Sequence, residues 1–277
     1  MALHLSSNYD NVKLILSSRR EDVLEEVAVE CRESGSGNEV KVLALDLAEI
    51  SDLPEKTKKA LFLFGRVDVL VNNGGVSTRS MARNAGFDVD PFIMNVDFLS
   101  YVALTKALLP SFEQQGSEEE SNFTPTIINI SSVAGKVGVP VRTAYCAAKH
   151  AVMGWFEAFR IEQLLSRHPV GVTNVVLGSA RTNVAQNAIG QAVGKKFGYR
   201  GDRDTNIDAG LEPSFVVERV LAAAYAGREE IWVAPRKEML LLLLNQYIPE
   251  MARVLFVQTA AKRFAPERRP STRSIRT

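Results

Sequence analysis

An α/β domain, with a parallel sheet covered by helices on both faces, is the fold this sequence predicts, and three features predict it. Short apolar stretches alternate with amphipathic ones along residues 12–235. The apolar stretches show little polar alternation, as strands do when both faces of a sheet are covered. The connections between them are long enough to be helical crossovers, which build a doubly wound sheet. At 277 residues, with 46% hydrophobic side chains, the chain can bury one large core.

Each element follows from its own pattern. "VKLILSS" (12–18) reads as a strand, "EDVLEEVAVECRE" (21–33) as a helix and "EVKVLALDL" (39–47) as a strand. "LPEKTKKALFLF" (53–64) predicts a helix and "VDVLVNN" (67–73) a strand. A long helix over 89–112 leads into the acidic loop "QQGSEEESNFTP", followed by the strand "TIINIS". Residues 143–166 carry Ala, Phe, Leu and Ile at three- and four-residue intervals, the helical period. "GVTNVVL" (171–177) is a strand, 184–210 an irregular segment, 213–226 a helix and "EIWVA" a last short strand. Ligands of such sheets bind beyond the carboxyl ends of the strands, and Asp46, Asn72, Ser132 and Gly178 fall at those ends.

Composition narrows the function. Two cysteines, Cys31 and Cys146, make neither a disulfide scaffold nor a zinc cluster, and no metal site is expected. The net charge of +1 conceals a tail, 262–277, with six Lys/Arg against one Glu. The remaining 27 basic and 31 acidic side chains leave about −4, so nucleic acid is not an expected partner. The opening "MALHLSSNYDNVKLILSS" does not read as a secretory leader, and "MLLLLL" at 239–244 is too short to span a bilayer.

The chemistry concentrates in "SSVAGKVGVPVRTAYCAAKH" (131–150). Tyr145 and Lys149 share a helix face at i and i+4, downstream of a strand end carrying Ser132. A phenol ordinarily ionises near about 10, and a neighbouring ammonium lowers that value toward the range useful for proton transfer. A serine hydroxyl at the strand end can hold a reacting carbonyl oxygen. Taken singly, the first two are ordinary helix residues and Ser132 a turn residue; together they suit carbonyl reduction or alcohol oxidation.

These pieces, with "NNGG" at 72–75, Asn95 in "FIMNVDFLS" and "NISS" at 129–132, resemble the classical short-chain dehydrogenase/reductase family over roughly residues 12–235. "LSSRREDVLEEVA" and "ISSVAGKVGVPVRTAYCAAKHAV" are similar to its branch containing dehydrogenase/reductase member 7B and the 11-beta-hydroxysteroid dehydrogenases. The resemblance implies a Rossmann-type sheet with Tyr145 as proton donor or acceptor and Ser132 orienting the carbonyl. It implies Lys149 on the nicotinamide ribose, tuning Tyr145, and Asn95 holding a relay water. Asp46 would meet the adenine edge, with Asn72 and Gly74 along the ribose. In "LGSARTNV", Gly178 and Thr182 match the family's nicotinamide loop, although Leu177 stands where proline is usual. Arg19 and Arg20 follow the first visible strand, where a guanidinium fork would pair with a ribose phosphate, so NADP is expected over NAD. A solvated basic pair opening a helix is the alternative reading.

One departure stands out. The family begins with a central strand and a glycine-rich turn on the pyrophosphate, whereas "ALHLSSNYDN" resembles what remains of the helix after that turn. Unpaired strand edges inside the fold, or a rearrangement of it, are the expected result. A truncated gene product or gene model is the simplest account, and a genuinely altered protein the other. The expected organisation is a dinucleotide-binding and catalytic domain over 1–235, incomplete at its start, and an apolar helical extension with a basic tail over 236–277. The resemblance implies an intracellular oxidoreductase, cytoplasmic or peripheral at the endoplasmic reticulum membrane, acting on an apolar or lipid carbonyl or alcohol. A homo-oligomer interface or membrane contact through the carboxyl end is consistent with its apolar residues. A catalytically inactive Rossmann-fold binding protein is the alternative function.

Overall fold

The computed structural model describes residues 1–116, 123–167, 169–184, 186–194 and 209–264. The acidic stretch 117–122, most of the predicted irregular segment (195–208) and the basic residues beyond 264 therefore lie outside the described residues. The chain divides into two compact units, Met1–Met239 and Leu240–Thr277.

The first unit alternates as its apolar pattern predicts. After helix α1 (Ala2–Asn8) come β1 (Lys13–Ser18), α2 (Glu21–Glu33), β2 (Glu39–Ala44), α3 (Leu53–Phe64) and β3 (Val69–Asn72). Then follow α4 (Val89–Met94), a π turn (Asn95–Leu99), α5 (Ser100–Gly116), β4 (Thr126–Ile130), α6 (Thr143–Leu164) and β5 (Gly171–Leu177). Helix α7 (Pro213–Tyr225), β6 (Glu230–Val233) and the start of α8 (Arg236–Tyr247) complete it. Local chemistry sets several boundaries. β2 stops short of Leu47 because Asp46 Oδ1 accepts the Ala48 amide and turns the chain. α3 opens on Pro54 and stops at Gly65, whose φ of 77° is the left-handed cap that glycine adopts freely. The predicted helix over 89–112 is interrupted by the π turn, where one extra residue shifts the phase of everything after it.

All strand pairs are parallel, but they form two sheets. One has the order β1–β2 and the other β3–β4–β5–β6. No strand among the described residues joins β1 to β3, so each has an unpaired edge. Burial reflects this. The middle residues of β4 and β5 are buried, whereas β1 has none buried and Val69 of β3 is 41% exposed. The start of the chain touches both: Ala2 and Leu3 of α1 pack against the cluster of Ala28, Cys31 and Val40, while Met1 packs against that of Ile128, Val175 and Val233.

The main core gathers Tyr101, Leu108 and Phe112 of α5, Ile127 of β4 and Val152, Phe156 and Phe159 of α6. Burying each large side chain contributes about 1.5–3 kcal/mol before entropy. The stretch Val89–Gly116 is long and apolar enough to cross a membrane, but its buried face belongs to this core.

In the second unit, helix α9 (Pro249–Phe264) follows the end of α8. Leu242 and Ala252 are buried, while Leu240, Leu243, Ile248, Met251, Val254 and Leu255 are exposed.

Candidate active site

The end of β4 and the start of α6 are fastened together at Lys149. Its Nζ donates to the Ile130 carbonyl at 3.1 Å. In return, Ser131 Oγ donates to the Lys149 carbonyl at 3.2 Å. Gly135 makes this approach possible, because a Cβ there would lie 2.7 Å from Ser131 Oγ and 2.8 Å from the Lys149 carbonyl oxygen. Ser132, the next residue, is extended and caps the short turn Val133–Gly135 by accepting the Ala134 amide at 3.2 Å. Tyr145 lies one turn before Lys149, half-buried, with the ammonium 5.7 Å from its ring centroid. Its hydroxyl has no hydrogen-bond partner among the described residues, which leaves the oxygen free for a ligand.

Lys149 itself is only 3% exposed. Its Nζ lies 3.5 Å from Asp97 Oδ2 and 3.4 Å from the Tyr101 hydroxyl. Burial disfavours the ammonium, but the oxygens of Tyr101, Asp97 and Tyr145 outweigh it and hold Lys149 protonated above the usual lysine range. Tyr101 in turn donates to the Gly74 carbonyl at 2.8 Å, tying the loop after β3 to the same cluster. Asn95 lies in the π turn beside Asp97, half-buried, and its side chain makes no bond to Lys149 among the described residues.

The remaining expected residues distribute around this centre. Asn72, Asn129 and Asn174 stand side by side in register on β3, β4 and β5. Their amides form a chain, Asn72 Nδ2 to Asn129 Oδ1 at 2.8 Å and Asn129 Nδ2 to Asn174 Oδ1 at 3.1 Å. Asn72 Oδ1 is buried without a partner. Gly74 meets the loop after Asp46, where Leu47 Cδ1 comes within 2.5 Å of the place a Cβ would take. Arg19 and Arg20 are exposed at the β1–α2 turn, and neither guanidinium has a partner among the described residues. Gly178 and Thr182 lie on the loop after β5, with Thr182 exposed. That loop is held by Glu238 of α8, which accepts from the Ser179 amide at 2.8 Å and the Ser179 hydroxyl at 2.5 Å.

A parallel α/β fold with a buried lysine beside a tyrosine ring, and a serine just past a strand end, is matched along the sequence as well. The family model described as short chain dehydrogenase matches residues 3–192. The chain belongs to the short-chain dehydrogenase family. It is 33% identical to human dehydrogenase/reductase SDR family member 7 over 244 residues, covering 87% of this chain and 68% of that protein. It is also 33% identical to member 7B of Xenopus laevis over 254 residues, 90% of this chain and 75% of that one. Solved family folds superpose well. A short-chain dehydrogenase/reductase from Burkholderia phymatum in complex with NAD has a TM-score of 0.73 at 20% identity, covering 86% and 85% of the two chains. An alcohol dehydrogenase from Thermococcus sibiricus complexed with 5-hydroxy-NADP gives 0.68 at 22% identity, covering 84% and 89%.

Several residues that build the site were not singled out by sequence reasoning. Asp97 and Tyr101 lie in a helical stretch whose π turn upsets the period used to assign faces. Ser131 was overshadowed by Ser132. Glu238 comes from a helix beyond the expected domain boundary, and only the tertiary fold brings it to Ser179.

Proposed function

We propose that this chain is an NADP-dependent oxidoreductase that interconverts an apolar carbonyl compound and its alcohol. The observation that carries the reading is Lys149, buried and charged, placed against the Tyr145 ring and fastened to the strand end that bears Ser132.

The residues present fit the ribose and nicotinamide end of such a cofactor. Lys149 offers a buried ammonium, Asn72 an unpartnered buried amide oxygen, and Gly178 and Thr182 a loop beside the strand end. Arg19 and Arg20 offer two unpartnered guanidinium groups for a ribose phosphate, which favours NADP over NAD. Residues 1–34 contain no glycine, so no glycine turn is assigned to the pyrophosphate. Bound NADPH would supply the hydride that reduces the carbonyl carbon. Tyr145 gives its hydroxyl proton to the carbonyl oxygen as negative charge develops there, and Lys149 stabilises the phenolate left behind. Ser132 donates a hydrogen bond to the same oxygen and holds it toward Tyr145. Oxidation of the alcohol runs the same proton path in reverse.

An apolar substrate is suggested by the composition of residues 183–199, which carry Ala, Val, Ile and Phe and no acidic side chain. Ile189 packs with Val89 and Ile93 of α4 and with Ala144 and Ala148 on either side of Tyr145 in α6.

The test is NADPH titration followed by turnover of a panel spanning lipid ketones and polar aldehydes. Tyr145→Phe and Lys149→Ala are expected to reduce kcat by at least ~100-fold while circular dichroism stays native. Arg19→Ala is expected to raise the Kd for NADPH several-fold and leave NADH little changed. Near-normal turnover by Tyr145→Phe sinks the acid–base assignment, and equal effects of Arg19→Ala on both cofactors sink the phosphate assignment.

A further inference from the structure

Asp97 is fully buried in the π turn between α4 and α5. A carboxylate in such a place costs several kcal/mol unless it is paired and hydrogen-bonded. The Val76 amide donates to Oδ1 at 2.7 Å, whereas Oδ2 accepts no hydrogen bond among the described residues and is met by the charge of the Lys149 ammonium at 3.5 Å. Gly75 leaves room for the carboxylate, since a Cβ there would approach Oδ2 to 3.1 Å. The π turn is what aims Asp97 inward at this point, one turn before Tyr101 on the continuing helix.

Among the described residues, the titratable groups facing Lys149 are Asp97 from the π turn, Tyr101 from α5 and Tyr145 from its own helix. Of these, Asp97 is the carboxylate. The proposed chemistry needs the positive charge of Lys149 to act on Tyr145, and Asp97 is paired with that same ammonium. We infer that Asp97 is a positioning residue that fixes the Lys149 ammonium at the end of β4 and weakens the field it exerts on Tyr145. This inference rests on the acid–base reading of Tyr145 and Lys149. Burial pushes the Asp97 carboxyl above its usual range, while the Lys149 charge and the Val76 amide pull it back toward the ionised form.

The inference has a definite sign. Asp97→Asn keeps the shape and an oxygen for the Val76 amide but removes the negative charge. The field of Lys149 on Tyr145 then acts unopposed and favours phenolate. The measurement is a ring-carbon NMR titration of the folded, cofactor-free chain with isotopically labelled tyrosine, the Tyr145 signal being assigned by its loss in Tyr145→Phe. In Asp97→Asn the Tyr145 curve is expected to move to lower pH by about one unit, the effect of one charge across a medium of effective dielectric about 20. The pH profile of single-turnover reduction is expected to move the same way, and Asp97→Glu to return both toward the parent. A Tyr145 curve unmoved in folded Asp97→Asn overturns the inference.

If Asp97→Asn does not fold, Asp97→Ser, a smaller neutral residue whose hydroxyl can still accept the Val76 amide, is measured in its place with the Lys149 ammonium intact. The same move of the Tyr145 curve to lower pH is expected, and an unmoved curve in the folded variant overturns the inference. The NMR comparison needs no turnover, so it separates this result from the parent reading. Tyr145→Phe with undiminished turnover sinks the acid–base assignment, whatever the curves show.

Discussion

Tyr101 shows how one residue links packing to the site. Its ring is fully buried in the main core, and its hydroxyl donates to Gly74 while standing 3.4 Å from the Lys149 ammonium. Burial, opposed by that ammonium, pushes its ionisation up to about 12. Below about pH 10 the folded and unfolded chains both hold this proton, so its contribution to stability is constant. Between about 10 and 12 the unfolded chain releases it and the folded chain keeps it, so stability falls as pH rises, by up to roughly 2–3 kcal/mol from this group. Tyr101→Phe is expected to flatten that alkaline slope in urea-unfolding midpoints measured across the window, even if it lowers stability at neutral pH. Tyr145, Lys149 and Ser132 were legible because spacing alone puts the first two on one helix face behind a strand end. Tyr101 and Asp97 were not, because placing them required knowing that the helix carries a π turn.

At the scale of elements, two loops are set by close contact. A Cβ on Gly178 would come within 2.6 Å of the Ala234 Cβ and 2.9 Å of its Cα, and would also strike the Glu238 carboxylate. Those neighbours include backbone of the segment joining β6 to α8, so they cannot swing aside. Gly178→Ala is expected to cost about 1–3 kcal/mol, read as a fall of several degrees in Tm. Gly154 supplies the matched contrast. It sits inside α6 with nothing within 4 Å of the place a Cβ would take, so Gly154→Ala is expected to stabilise by about 0.5–1 kcal/mol through helix propensity. Thermal melts that rank the two substitutions the other way would contradict this account. Order and type of the elements were readable from apolar periodicity. The contacts between loops were not, because a sequence does not show that Glu238 reaches back to Ser179 across 59 positions.

For the whole molecule, the sequence pointed to parallel strands throughout, and those described fall into two sheets with a break between β1 and β3. What it did not show was how the chain would bridge the break, with Met1 on one side and Ala2 and Leu3 on the other. The break also bears on cooperativity. In a continuous sheet, hydrogen bonds from strand to strand make neighbouring layers open together. Among the described residues, the β1–α2–β2 layer has no such ladder to β3. It is therefore expected to melt as a separate foldon, below the free energy at which the rest unfolds. In native-state hydrogen exchange, the amides of Leu14, Leu16, Val40 and Val42 should lose protection at lower denaturant than those of Ile127, Ile128, Val175 and Val176. A single shared opening energy for both groups would mean that α1 and the side-chain packing alone couple the two sheets into one cooperative body.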